Sequence, residues 1–64
     1  MVKRFMRLPQ TEEASGLKRS AIYKLISEGT FPKPIPITGK AVAWDEDEVL
    51  AWQKSRIARR EQAA

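Results

Sequence analysis

Prolines at positions 32, 34 and 36 divide this chain, because no helix can run through the stretch TFPKPIPITGKAVAW, residues 30–44. Proline lacks the N–H that helices and sheet ladders use, and its ring clashes with the preceding turn of a helix. Helical sequence is therefore confined to the two flanks. Within the stretch, Ile35-Pro36-Ile37 and Ala41-Val42-Ala43-Trp44 are β-prone pieces on either side of Thr38-Gly39-Lys40, the pattern of a hairpin. Pro36 suits an edge strand, whose outer side needs no donor.

On the amino-terminal side, residues 1–8 form a short lead-in, with Phe5, Met6 and Leu8 available to pack on a core. A first helix is predicted over roughly residues 9–15. Pro9 fits its first turn, where a missing N–H costs nothing. Glu12 and Glu13 are expected in its early turns, where the helix dipole favours acidic charge. Gly16 ends it. Leu17 is the apolar residue of a tight turn, and a second helix is predicted from about 18 to 28. Ile22, Leu25 and Ile26 mark its buried stripe by their i, i+3, i+4 spacing. Gly29 supplies a left-handed C-terminal cap. Helix, glycine-containing turn, helix is the layout of a helix-turn-helix.

On the carboxy-terminal side, Asp45 opens a third helix. Asp45-x-x-Glu48 resembles a capping box, with Asp in place of Ser or Thr. Acidic residues 45–48 lie at the start, and Arg56, Arg59 and Arg60 lie toward the end, so both complement the dipole. Capping explains these carboxylates better than a metal site, since adjacent carboxylates on one turn do not converge on one ion. Val49, Trp52 and Ile57 are expected to face the core, with Leu50 beside them. The expected fold is α+β, mainly α: three helices with a two-stranded β-hairpin wing between the second and third. One domain over residues 1–64 is expected, its core spanning about 7–58 between short terminal tails.

Composition narrows the function. With no cysteine and no histidine, disulfides and the usual zinc ligand sets are excluded. No cysteine nucleophile and no phosphate-binding glycine loop is present either, so no enzyme, no metal and no cofactor are expected. No apolar run approaches the ~18 residues of a membrane span, and MVKRFMRLPQ lacks the apolar centre of a signal peptide. The expected location is the cytoplasm, in association with the nucleoid. Twelve basic and eight acidic side chains give a net charge of +4. Residues 1–44 hold eight basic and three acidic side chains, whereas residues 45–64 hold four and five, so the basic excess sits in the first two thirds.

Lys18, Arg19 and Lys24 of that excess fall on the second helix, where Arg19, Ser20, Tyr23 and Lys24 share much of the side opposite Ile22, Leu25 and Ile26, with Ser27 one turn further along. An ordinary solvated face is one reading of Lys18, Arg19, Ser20, Tyr23 and Lys24. Their basic character, the aromatic hydroxyl among them and their place on the second helix of a tight turn favour a recognition helix in a DNA major groove. Arg19 suits a guanine edge, Lys18, Ser20 and Lys24 suit phosphates, and Tyr23 suits a phosphate or a thymine methyl. Lys33, Thr38 and Lys40 either keep an exposed edge soluble or form a wing that enters the minor groove or touches the backbone, a contact that positions a protein without reading sequence. Trp44 and Trp52 are read as core, since two indoles supply much of the buried area in so small a domain. The rival class is a protein-interaction module in which the second or third helix docks on another regulator or an integrase.

Taken in order, Arg7-Leu8, Gly16-Leu17, Arg19-Ser20, Ile22-Tyr23, Glu28-Gly29, Phe31-Pro32-x-Pro34, Gly39, Trp44, Val49 and Trp52 make the chain similar to a known family. It resembles the AlpA-like prophage regulators, relatives of small phage excisionases, over about residues 7–58. The resemblance implies a winged helix-turn-helix of the kind also seen in MerR-type regulators. It implies double-stranded DNA near an attachment site or an integrase promoter as the partner. The implied role is control of integrase expression, or promotion of excision as a recombination directionality factor. A tyrosine-family integrase is an implied further partner, and the few base contacts of one helix and one wing call for cooperative multimers on DNA or help from that integrase. The family's DNA-contacting positions carry over to Arg19, Ser20, Tyr23 and Lys24, and to Lys40 in the wing. Relatives often have Ser where this chain has Lys18, and the loss of such a cap typically costs ~1 kcal/mol. Lys40 stands where Arg is common and gives up the bidentate fork for a point charge.

Overall fold

The computed structural model describes residues 4–63, without the side chains of residues 62 and 63. Residues 1–3 and 64, the ends of the expected tails, lie outside the described residues. The elements run β1 (Phe5–Met6), α1 (Leu8–Ser15), α2 (Arg19–Ser27), β2 (Ile35–Pro36), β3 (Val42–Asp45) and α3 (Glu46–Ala63). The sheet order is β1-β3-β2 with both pairings antiparallel. Three helices and a small sheet make the α+β, mainly helical architecture of a winged helix-turn-helix.

The hairpin forms where glycine and proline place it. Ile35 pairs with Ala43 and Pro36 with Val42, which leaves β2 at the sheet edge. The amide N–H groups of Ile37 and Thr38 both donate to the Ala41 carbonyl, at 2.9 and 3.3 Å, and close the tip. The lead-in adds a third strand to this pair: Phe5 lies opposite Asp45 and Met6 opposite Trp44. Two residues carry no period that marks a strand, so β1 owes its form to the partner edge of β3.

Helix α1 begins one residue ahead of the predicted start, at Leu8. The Gln10 side chain accepts the Arg7 N–H at 3.0 Å. Thr11 donates to the Arg7 carbonyl twice, from its N–H at 3.0 Å and from Oγ1 at 3.1 Å. These bonds satisfy Thr11, which is fully buried. Glu12 and Glu13 do not complement the dipole as expected. The first turn holds no acidic residue, and both carboxylates lie in the second half of the helix. Gly16, at φ 75°, turns the chain and donates to the Glu12 carbonyl at 2.9 Å.

Helix α2 ends in paired 5→2 and 6→1 bonds. Gly29 N–H reaches the Ile26 carbonyl and Thr30 N–H the Leu25 carbonyl, each at 3.0 Å. That geometry requires a left-handed residue between them, and Gly29 adopts φ 79°. The turn delivers Phe31 into the core beside Ile22, Trp44 and Val49, and Met6, Leu8, Leu17, Leu25, Ile26 and Trp52 pack around them. Trp44 is fully buried, and its indole N–H donates to the Pro32 carbonyl at 3.0 Å. A backbone carbonyl from the proline run thus satisfies the most polar atom of the largest core residue.

At the junction of β3 and α3, Asp45 Oδ1 accepts the Asp47 N–H at 2.9 Å, the expected capping role. The first half of α3 packs on the body through Val49, Trp52 and a hydrogen bond from the Gln53 amide to the Ala14 carbonyl. Ile57 is not a core residue as expected but 53 % exposed, and Leu50 is 45 % exposed. At 100° per residue, Leu50 and Ile57 lie about 100° and about 80° round α3 from Val49, off its buried side. Trp52 is partly buried, edge-on to Phe31 at 5.0 Å between ring centres.

Candidate nucleic-acid interface

The residues of α2 distribute themselves as the spacing requires. At 100° per residue, Arg19, Tyr23, Ser27, Ser20 and Lys24 fan across about 140° of the helix opposite the buried stripe. All five are exposed, and Ile22 is fully buried on the inner side. Lys18 stands just ahead of the helix in an extended conformation, φ −88° and ψ 168°. Its carbonyl accepts the Ile22 N–H at 3.0 Å, but its side chain makes no capping bond. Among the described residues the first N–H groups of α2 have no side-chain acceptor, as the sequence position of Lys18 suggests.

Tyr23 joins this face to the core. It is 38 % exposed, and its ring meets Trp44 edge-on, 6.2 Å between centres and 70° between planes. The Arg19 guanidinium lies 5.8 Å from the Tyr23 ring centre. Arg19, Tyr23 and Trp44 thus form a stack from the surface to the middle of the molecule. A cation–π contact at an exposed site contributes about 0.5–1 kcal/mol, enough to restrict a long side chain without removing its charge from solvent. The arrangement presents a planar, five-donor group on an aromatic support.

Lys18, Arg19, Ser20 and Tyr23 line one shallow open groove, and the fifth residue lining it is Glu12 of α1. Lys24 lies on the same face of α2 but does not line that groove. The wing residues Lys33, Thr38 and Lys40 are all exposed, Lys33 ahead of β2 and the other two at the hairpin tip. They make no hydrogen bond or ion pair with α2 among the described residues and belong to a separate element. Sequence spacing does not identify Glu12 as part of the groove. Only the packing of α1 against α2 brings a residue six positions upstream of Lys18 to its side.

Comparison with known proteins shows the family of this chain. The family model described as "Prophage CP4-57 regulatory protein (AlpA)" matches residues 4–57, most of the chain. The chain belongs to the AlpA family of prophage regulatory proteins. A curated relative from Enterobacteria phage P4, described as "Uncharacterized protein ORF88", is 48 % identical over 58 residues. The match covers 91 % of this chain and 66 % of that relative, so the AlpA-like chain spans just under two thirds of the relative's length. Among the described residues, no helix of this AlpA-family chain is long and apolar enough to cross a membrane.

Proposed function

We propose that this chain is a sequence-specific, non-enzymatic binder of double-stranded DNA that regulates a prophage or genomic island. It acts as one DNA-binding domain in the cytoplasm, at the nucleoid. The observation that carries the reading is the exposed cationic face of α2, with Arg19 supported on Tyr23 and Tyr23 on Trp44, in a member of a prophage regulator family. In this reading α2 enters the major groove. Arg19 forks onto a guanine, Lys18, Ser20 and Lys24 meet phosphates, and Tyr23 meets a phosphate or a thymine methyl. A phosphate beside Lys18 also takes the first N–H groups of α2, which have no side-chain acceptor. Lys33, Thr38 and Lys40 add backbone contacts from the wing.

One helix and one wing offer few base contacts. Several protomers on adjacent sites, or an integrase of the tyrosine family, then supply the remaining affinity near an attachment site or integrase promoter. The finer role is control of integrase expression or promotion of excision. Excision benefits from bent DNA, whose deformation energy adjacent protomers offset by added contacts. A DNase I footprint with phased hypersensitive cuts supports excision, and one compact footprint over a promoter supports transcriptional control.

A second reading, a protein-interaction module, draws on the exposed Leu50 and Ile57, which share a surface depression with Trp52, Lys54 and Arg56 on α3. Salt separates the two. Binding through four to six phosphates gives a log–log slope of roughly −4 to −5, whereas an apolar protein contact is far less salt-dependent. The deciding experiment is a gel-shift titration on DNA flanking the gene with wild type, Arg19→Ala and Tyr23→Ala. Stepwise shifts of one fragment by wild type, with weak and unselective binding by the variants, support DNA reading by α2. No shift at low salt, or variants equal to wild type, overturns it.

A further inference from the structure

The carboxylate of Glu12 does nothing to stabilise its own helix. It lies in the last turn of α1, where the dipole disfavours a carboxylate. Only its backbone is engaged, the carbonyl accepting the Gly16 N–H at 2.9 Å and the Ser15 hydroxyl at 3.5 Å. Its carboxylate makes no ion pair or hydrogen bond among the described residues, yet it lines the groove formed by Lys18, Arg19, Ser20 and Tyr23. A second depression places it, with Glu13, against the other side of Lys18. A negative charge thus stands among the groups that would meet DNA.

We propose that Glu12 lowers the affinity of this face for the phosphate backbone of duplex DNA. The inference rests on the DNA-binding reading above. An ionised carboxylate offers only acceptors, so it repels a phosphate that it cannot bond. Any phosphate drawn to Lys18 or Arg19 comes within the ~10 Å screening length of that charge. Binding that depends on the backbone alone is weakened, and occupancy then depends on base contacts and neighbouring protomers. This matters because a genome offers a vast excess of competing non-specific sites.

The test is fluorescence anisotropy with a random-sequence duplex of about 20 base pairs, titrated by wild type, Glu12→Gln and Glu13→Gln from about 50 to 200 mM salt. Both variants raise the net charge by one, but Glu13 is absent from the α2 groove. At water-like dielectric and such salt, removing one unit charge from within a screening length of one or two phosphates tightens binding about two- to fivefold. Glu12→Gln is expected to show that gain and a salt slope steeper by up to about one, and Glu13→Gln a clearly smaller gain. Equal gains in the two variants mean a net-charge effect and overturn the proposal. Unchanged or weaker binding by Glu12→Gln also overturns it, the weaker case pointing to a carboxylate that bonds a base donor. Wild type that binds no duplex at low salt removes the DNA-binding reading itself, and this inference with it.

Discussion

Tyr23 belongs both to the surface that would read DNA and to the packing that holds the fold, and Tyr23→Ala separates the two contributions. The ring residue offers ~200 Å² in total. With 38 % still exposed, roughly 120 Å² of that is buried, worth about 3 kcal/mol at 25 cal/mol per Å². A compact denatured state reduces this to about 2 kcal/mol. The edge-on contact with Trp44 adds about 0.5–1 kcal/mol, and the better helix propensity of alanine returns about 0.5. Tyr23→Ala is therefore expected to cost about 2–3 kcal/mol. In a domain this small that lowers Tm by roughly 10–20 °C. Urea and thermal unfolding followed by circular dichroism measure the loss. Tyr23→Phe keeps the ring and loses a hydroxyl with no hydrogen-bond partner among the described residues, so it is expected within about 0.5 kcal/mol of wild type. If Tyr23→Ala costs under about 1 kcal/mol, the ring does not pack on Trp44 in solution and the support for Arg19 fails with it. DNA titrations at matched folded fraction then isolate the binding role, and a loss in Tyr23→Phe assigns it to the hydroxyl.

The other expectations follow from single features. Arg19→Lys is expected to leave stability within about 0.5 kcal/mol while reducing discrimination among duplexes by about 1–3 kcal/mol, because lysine lacks the fork for a guanine edge; competition gel shifts measure it. Gly29→Ala is expected to cost about 1–2 kcal/mol in urea unfolding. An added Cβ meets nothing within 4 Å, so the penalty is the left-handed backbone alone. Trp44→Phe is expected to cost about 2–4 kcal/mol, since it opens a cavity and strips the Pro32 carbonyl of its donor. Trp52→Phe is expected within about 1 kcal/mol of wild type, because it also removes a buried indole N–H that has no acceptor among the described residues. Equal losses for the two tryptophans in the same melts would contradict that difference.

Local chemistry alone determined a large part of this molecule. Proline at 32, 34 and 36 excludes a helix whatever surrounds it, Gly16 and Gly29 permit the left-handed turns that end α1 and α2, and the Ile22, Leu25, Ile26 spacing selects the inner face of α2. The exposed set Arg19, Ser20, Tyr23 and Lys24 follows as the complement of that stripe, with Lys18 just ahead of the helix. Each is a property of a few neighbouring residues, so each is legible without the rest of the chain. What the fold decided involves residues far apart. Phe5 and Met6 become a strand only because β3 presents unpaired backbone groups beside them. Ile57 is as apolar as Val49 and borders Ala14 and Ser15 of α1, yet the packing leaves it 53 % exposed. Glu12 enters the groove of α2 because two helices cross there, which no spacing along one helix encodes. Periodicity reports which way a side chain points from its own element. Whether anything stands in that direction is settled by packing, and packing sums contacts over the whole chain.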